Sequence, residues 1–162
     1  MASGKSTVGR LVAEQLGWAF CDLDELIVAA AGRTIPEIFA AEGEPGFRIR
    51  EAEAVRASTG SRRTVVATGG GAACREENLA AMLKSGVVVT LEVSPDEVLR
   101  RAGSRSSRPV LASAADPRAT VIELQRAREP FYARAHARVE TDGRPPEQVA
   151  ADVLRVLEHR SP

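Results

Sequence analysis

The chain has no excess of basic residues. Lysine plus arginine numbers 22, aspartate plus glutamate numbers 22, and the net charge is zero. Nucleic-acid binders carry a basic surplus, so nucleic acid is not expected as a partner. Long apolar runs are missing too. The longest stretch without a charge is Thr64 to Cys74, well short of the roughly 18–20 residues that span a bilayer, so no membrane partner is expected. No basic-then-apolar leader stands at the front, because Met1 runs straight into a Gly-Lys-Ser turn; the expected compartment is the cytoplasm. Cysteine is scarce. Cys21 and Cys74 stand far apart, form no Cys-x-x-Cys pair, and make no zinc spacing with His136 and His159. Both border apolar runs and read as small core residues in a reducing compartment. Lysine is scarcer than arginine, with only Lys5 and Lys84. One of these two sits in Gly4-Lys5-Ser6-Thr7, which hints at a task arginine cannot do.

What is present is an ordinary globular composition. The 162 residues are 44% hydrophobic and 27% charged, which fits one domain over residues 1–162 with a real core. Val8 to Leu16 carries an apolar stripe (Val8, Leu11, Val12, Leu16) stopped by Gly17, and predicts a helix. Trp18 to Cys21 predicts a short buried strand ending at Asp22. Helices are expected over Glu25–Ala31, from Thr34 as N-cap, and over Phe47–Ala57, with a turn at Gly43-Glu44-Pro45-Gly46. Thr64 to Ala67 predicts a strand running into Gly69-Gly70-Gly71. Glu76 to Lys84 predicts a helix. Gly86 to Leu91 is the clearest strand, a continuous apolar run fit for a sheet buried on both faces. A helix from Ser94-Pro95 to about Arg101 follows. Residues 103–116 are rich in Arg, Ser, Pro and Ala and read as a mobile loop. Pro117 to Ala135 predicts a helix broken near Pro130, Ala137 to Thr141 a weak last strand, and Pro146 to His159 a last helix. Strands alternating with helices predict an α/β fold: a parallel sheet in a three-layer α/β/α domain. There is no repeat and no low-complexity tract.

Gly4-Lys5-Ser6-Thr7 opening a helix is the second half of a P-loop. Backbone N–H groups at a helix start bind phosphate, a lysine on its long stem reaches the β- and γ-phosphates, and the Ser6 hydroxyl can ligate Mg²⁺. The same four residues are also an ordinary helix start. Asp22 and Asp24 stand where the second strand ends, the edge of a parallel sheet that faces a ligand crevice. One carboxylate there can hold Mg²⁺ through water and the other can orient or deprotonate a hydroxyl; a capped, solvated turn is the plainer reading. Arg48 and Glu51 share a helix face at i, i+3, so the carboxylate can fix the arginine fork for a planar anion. Alone, that pair is also a common surface ion pair. Gly69-Gly70-Gly71 lets the backbone approach a ligand closely. Arg105 and Arg108-Pro109 sit in the predicted loop, where an arginine can close over a transferring phosphoryl group. Arg128 precedes Glu129-Pro130-Phe131-Tyr132.

In that order the motifs resemble shikimate kinase, over essentially the whole chain. The residues carrying the likeness are Gly4-Lys5-Ser6-Thr7-Val8-Gly9-Arg10, Asp22-x-Asp24, Glu42-Gly43-Glu44-x-x-Phe47-Arg48-x-x-Glu51, Thr68-Gly69-Gly70-Gly71, Arg108-Pro109 and Arg128-x-Pro130-x-Tyr132. The resemblance implies a P-loop kinase fold on a five-stranded parallel sheet. It also implies a substrate-binding part at about 23–60 and a lid at about 103–116. The implied activity is transfer of the γ-phosphoryl group of MgATP to the 3-hydroxyl of shikimate, in the pathway to aromatic amino acids. ATP and Mg²⁺ are the implied cofactors, shikimate the small-molecule partner, and a monomer the expected state.

The same resemblance places Gly4, Lys5, Ser6 and Thr7 on the nucleotide, with Lys5 on its phosphates, and Ser6 and Asp22 on magnesium. Asp24 meets and deprotonates the substrate hydroxyl. Arg48 and Arg128 clamp the substrate carboxylate, with Glu51 steadying Arg48, and Gly69, Gly70 and Gly71 line the substrate. Arg108 is the lid arginine, acting with Lys5 and Asp24 in catalysis, and Arg101 and Pro146 flank the adenine. Three departures stand out. No apolar strand and no first P-loop glycine precede Gly4, so one expectation is that both lie upstream in a longer natural chain. Ala2 stands where the family has glycine, a place for a close approach or a positive φ. Val110 replaces a leucine. Two other readings remain open: a nucleotide- or metabolite-binding homologue impaired in turnover, and a kinase of another hydroxylated metabolite such as gluconate.

Overall fold

The computed structural model describes residues 2–102 and 116–159. The loop residues Arg105, Arg108, Pro109 and Val110 lie outside the described residues. The order is α1 (Lys5–Leu16), β1 (Ala19–Asp22), α2 (Leu23–Ala31), α3 (Ile35–Ser58), β2 (Thr64–Ala67), a 3-10 turn (Ala72–Cys74), α4 (Glu76–Ser85), β3 (Val89–Glu92), α5 (Pro95–Ala102), α6 (Pro117–Tyr132), β4 (Ala137–Glu140) and α7 (Pro146–Glu158). This is the alternating α/β pattern, with parallel strands. None of the described helices is long and apolar enough to cross a membrane.

Local chemistry explains most boundaries. Gly17 and Gly32 end α1 and α2 in the left-handed conformation, which glycine adopts without steric cost. The Asp22 carboxylate accepts the Asp24 N–H at 3.0 Å and so caps α2 two residues earlier than the sequence suggests. Thr34 starts α3 by donating its N–H and its hydroxyl to Glu37, both at 2.7 Å. The expected Gly43–Gly46 turn shrinks to one residue: Gly43, at φ 66° and ψ −176°, kinks α3 while Pro45 stays in the helix. Pro130 does not break α6, which runs on to Tyr132. The helix starting at Lys5 also begins three residues earlier than the apolar stripe indicates.

Three apolar clusters hold the elements. Leu23, Ile27, Ile38, Phe47 and Val55 join α2 to α3. Val8, Val12, Val139 and Val149 join α1, β4 and α7. Val98 and Val121 join α5 to α6, with Ala2, Val93 and Leu99 packed alongside. Cys21 and Cys74 are free thiols, half-buried rather than sealed in the core.

The sheet differs most from expectation. Among the described residues it has four strands in two separate parallel pairs. β1 lies against β2, with Ala19 opposite Thr64 and Asp22 opposite Ala67. β3 lies against β4, with Val89 opposite Ala137 and Glu92 opposite Glu140. The unpaired edges of β2 and β3 both line one cavity of about 1190 Å³, walled by Val8, Val12, Val153 and Leu157. β3 is therefore half-buried along its length, not buried on both faces, and Val87 ahead of it is 39% exposed. Two free parallel edges bordering one cavity leave unpaired backbone groups that a further strand would satisfy.

Ordering a strand costs about 1–2 kcal/mol per residue, and each large apolar side chain it buries returns about 1.5–3 kcal/mol. The balance favours filling the slot. A chain extended ahead of residue 1 by an apolar strand ending in glycine is expected to melt higher and to bind ATP more tightly than residues 1–162 alone. Paired thermal melts and ATP titrations check this; equal values for the two chains would contradict it.

Candidate active site

The C-terminal ends of all four strands and the start of α1 meet at one edge. Gly4, at φ 81° and ψ 19°, turns the chain into α1 and its carbonyl accepts the Val8 N–H at 2.9 Å. Its left-handed backbone is one that a side chain would strain. Lys5 donates to the buried Ser3 hydroxyl at 3.3 Å. The Ser6 hydroxyl donates to the Asp22 carboxylate at 2.6 Å. Thr7 follows on the exposed first turn of α1. Thus the helix start, a lysine, a hydroxyl and a carboxylate come together across 16 residues of sequence.

Ala2 carries φ 52°, the left-handed region that the glycine it replaces would enter freely. That conformation costs an L-residue about 1–2 kcal/mol. Its methyl group packs against the Val98–Val121 cluster, a gain of about 0.8 kcal/mol, and glycine would add chain entropy to the unfolded state. The terms nearly cancel, so alanine is tolerated there.

Asp24 sits two residues beyond Asp22, on the first turn of α2. The crevice walls push its carboxyl above the ordinary aspartate range, the Asp22 charge pushes the same way, and Lys5 opposes them. This raises its basicity as a proton acceptor.

The three glycines after β2 are each pressed against a different functional group. A Cβ on Gly69 would sit 3.2 Å from Glu51 Oε1 and 3.6 Å from Asp24 Oδ1. One on Gly70 would sit 2.8 Å from Arg128 Nη1 and 3.4 Å from the Tyr132 hydroxyl. One on Gly71 would collide with the Arg48 guanidinium. The turn therefore gathers Asp24, Arg48 and Arg128 around a strip of bare backbone.

Arg48 is clamped from two sides. Its Nη1 donates to Glu51 at 2.8 Å, and its Nε and Nη2 donate to Glu44 at 3.2 and 3.0 Å. The pair with Glu51 forms as the i, i+3 spacing predicts, but it is no surface pair, because Glu51 is only 2% exposed. Burial pushes the Glu51 carboxyl up and Arg48 pulls it back. Removing Arg48 would leave a buried, unpaired acid. Arg75 also reaches this helix, donating to the Arg48 carbonyl at 3.4 Å. Arg128, half-buried, lines the large cavity, and among the described residues no carboxylate pairs with it. A guanidinium held in a cavity without a counter-charge suits an anionic ligand.

Arg101 and Pro146 both adjoin the 141–145 loop. Arg101 donates to Glu97 at 2.6 Å, to the Thr141 carbonyl at 2.6 Å and hydroxyl at 3.1 Å, and to the Ala2 carbonyl at 3.3 Å. Its donors are thus spent on tying α5 to that loop and to the chain ahead of Gly4. Pro146 opens α7. Sequence reasoning had assigned no task to Ser3, Glu44 or Tyr132. Glu44 stands four residues before Arg48, a spacing that becomes a helical pair only because α3 runs on through the expected 43–46 turn. Ser3 carries no such signal.

The Asp24 carboxyl is expected to titrate above the ordinary aspartate range, and Asp22→Asn to lower it by removing the like charge. Carbon-13 NMR titration of both proteins checks this; an unmoved Asp24 in the variant would mean the two charges are not coupled.

This geometry has close counterparts. A family model described as shikimate kinase matches residues 1–158. The shikimate kinase of Symbiobacterium thermophilum is 47% identical over 99% of this chain and 93% of its own. That of Geobacter metallireducens is 46% identical over 99% and 89%. Among solved structures, shikimate kinase from Acinetobacter baumannii in complex with shikimate superposes with a TM-score of 0.93 at 36% identity, covering 100% of this chain and 91% of that one. Shikimate kinase from Aquifex aeolicus superposes at 0.85 and 34% identity, over 98% and 92%. With sequence and fold matched along its length, the chain belongs to the shikimate kinase family.

Proposed function

We propose that this chain transfers the γ-phosphoryl group of ATP to the 3-hydroxyl of shikimate, in the site built around Gly69–Gly71. The observation that carries the reading is the placement of two arginines, Arg48 and Arg128, against adjacent glycines of one turn, with Asp24 beside the third. A carboxylate-bearing polyol needs such a pair of cations at one end and a base at the other. A neutral sugar needs no such clamp, which sets aside a kinase for uncharged acceptors.

The residues at the start of α1 fit a magnesium nucleotide. Gly4, Lys5, Ser6 and Thr7 present helix N–H groups and a lysine to phosphate. The Ser6 hydroxyl and the Asp22 carboxylate, already 2.6 Å apart, are hard oxygen donors of the kind Mg²⁺ takes alongside the phosphates of its substrate. When bound, Mg²⁺ neutralises charge on the β- and γ-phosphate oxygens. Lys5 adds a positive charge at the transferring group. Arg48 and Arg128 grip the acceptor carboxylate, and Glu44 and Glu51 hold the Arg48 fork in place. Asp24 orients the 3-hydroxyl and accepts its proton as the new O–P bond forms and the bond to the ADP oxygen breaks. Arg101 and Pro146 are assigned to the adenine side, and Arg108, outside the described residues, to the lid. The chain acts as one domain over 1–162, with a substrate part at 23–60 and a lid at 103–116, as a cytoplasmic monomer.

Arg48→Ala and Arg128→Ala are each expected to weaken shikimate binding by about 2–5 kcal/mol, with ATP binding little changed. Calorimetric titration of both ligands tests this, and wild-type shikimate affinity in both variants would sink the assignment.

Asp24→Asn is expected to lower kcat by about 10²–10⁴-fold, the usual contribution of a general base, with shikimate affinity less affected. A near-normal kcat in a coupled ADP-release assay would leave Asp24 a binding residue only.

A further inference from the structure

Tyr132 ends α6 with no part in the scheme above, yet it makes the shortest link between that helix and the glycine turn. Its hydroxyl donates to the Gly70 carbonyl at 2.6 Å. Its own carbonyl accepts from the Thr90 hydroxyl on β3 at 3.5 Å. Arg128 lies four residues earlier on the same helix, hence on the same face. Gly70 is the residue against which both side chains close. The next glycine, Gly71, is the one against Arg48. The far side of the turn is pinned separately, where Asn78 Nδ2, in a buried side chain, donates to the Ala72 carbonyl at 3.0 Å. The other group on the Gly70 carbonyl is the Cys74 thiol, a weak donor at 3.7 Å. Burial raises the phenol above its usual range, which keeps it protonated and donating.

We propose that Tyr132 is a positioning residue for the acceptor: by holding the Gly70 carbonyl, its hydroxyl sets how far Arg128 stands from Arg48 across the glycine turn. Two cations that clamp one planar carboxylate must keep a fixed separation, and a displacement of about an ångström costs much of such an interaction. α6 and the helix carrying Arg48 contribute to different apolar clusters and, among the described residues, meet only around the glycine turn and the 3-10 turn that follows it. The Tyr132–Gly70 bond ties α6 to the turn that Arg48 abuts one residue later.

This inference rests on the clamp reading given above. Its test is a double-mutant cycle on the purified chain, with shikimate and ATP as the titrants in calorimetry. Tyr132→Phe keeps the ring and removes the hydroxyl, and is expected to weaken shikimate binding about tenfold while ATP binding stays the same. In an Arg128→Ala background the same substitution is expected to add almost nothing, because the arm it positions is gone. Full additivity of the two substitutions would overturn the inference and leave the clamp standing. Equal losses for shikimate and ATP would also overturn it, since that is the mark of general loosening. A normal shikimate affinity in Arg128→Ala would overturn the clamp itself, and this inference with it.

Discussion

The site depends on three consecutive residues without side chains. Gly69, Gly70 and Gly71 each leave room that a Cβ would take from Glu51 and Asp24, from Arg128, and from Arg48. Bare backbone at this point lets groups from α2, α3 and α6 converge on one small volume at the end of β2. The turn is kept from wandering by its neighbours. Tyr132 holds the Gly70 carbonyl, Asn78 holds Ala72, and the Ala72 and Cys74 N–H groups close back on Gly69 and Gly71. A stretch that would be floppy in isolation thus becomes a rigid floor.

Electrostatics sharpen that arrangement. Glu51 is buried beside a single strong partner, an arrangement that gives little net stability because desolvation consumes most of the attraction. Its effect is geometric: Arg48 has one orientation available, with Glu44 fixing the other edge of its fork. Arg128, which no described carboxylate neutralises, leaves positive charge on the cavity wall beside Gly70. Asp24 brings negative charge to the same turn, beside Gly69, while Asp22 is held by Ser6 and by the α2 start.

The divided sheet bears on how the site is held together. β2 delivers the glycine turn and β1 delivers Asp22, so both rest on one strand pair. β3 and β4 deliver the Ser94 and Thr141 loops, and Arg101 ties the latter to Ala2 ahead of Gly4. α1 packs on both halves through Val8, Val12 and Gly9, where a Cβ would strike the Phe20 ring at 2.8 Å. The two halves are therefore linked by α1 and by side chains rather than by a continuous hydrogen-bonded ladder.

Much of this was legible in the residues. Local chemistry set the helix stops at Gly17 and Gly32, the cap at Asp22, the strand at Thr64–Ala67 and the Arg48–Glu51 pair, because each depends on neighbours within a few positions. The order of motifs along the chain carries the family resemblance by itself. Tertiary structure decided what depends on distant residues. Pro130 reads as a breaker, yet α6 carries through it to bring Tyr132 onto Gly70, 62 positions away. The apolar run at Val87–Leu91 reads as doubly buried, yet its free edge borders a cavity, because burial depends on which strand lies alongside. Whether Glu51 is a surface ion or a buried anchor also lies beyond spacing: i, i+3 places it on the face of Arg48, but only the approach of distant chain such as Gly69 to that face removes it from water.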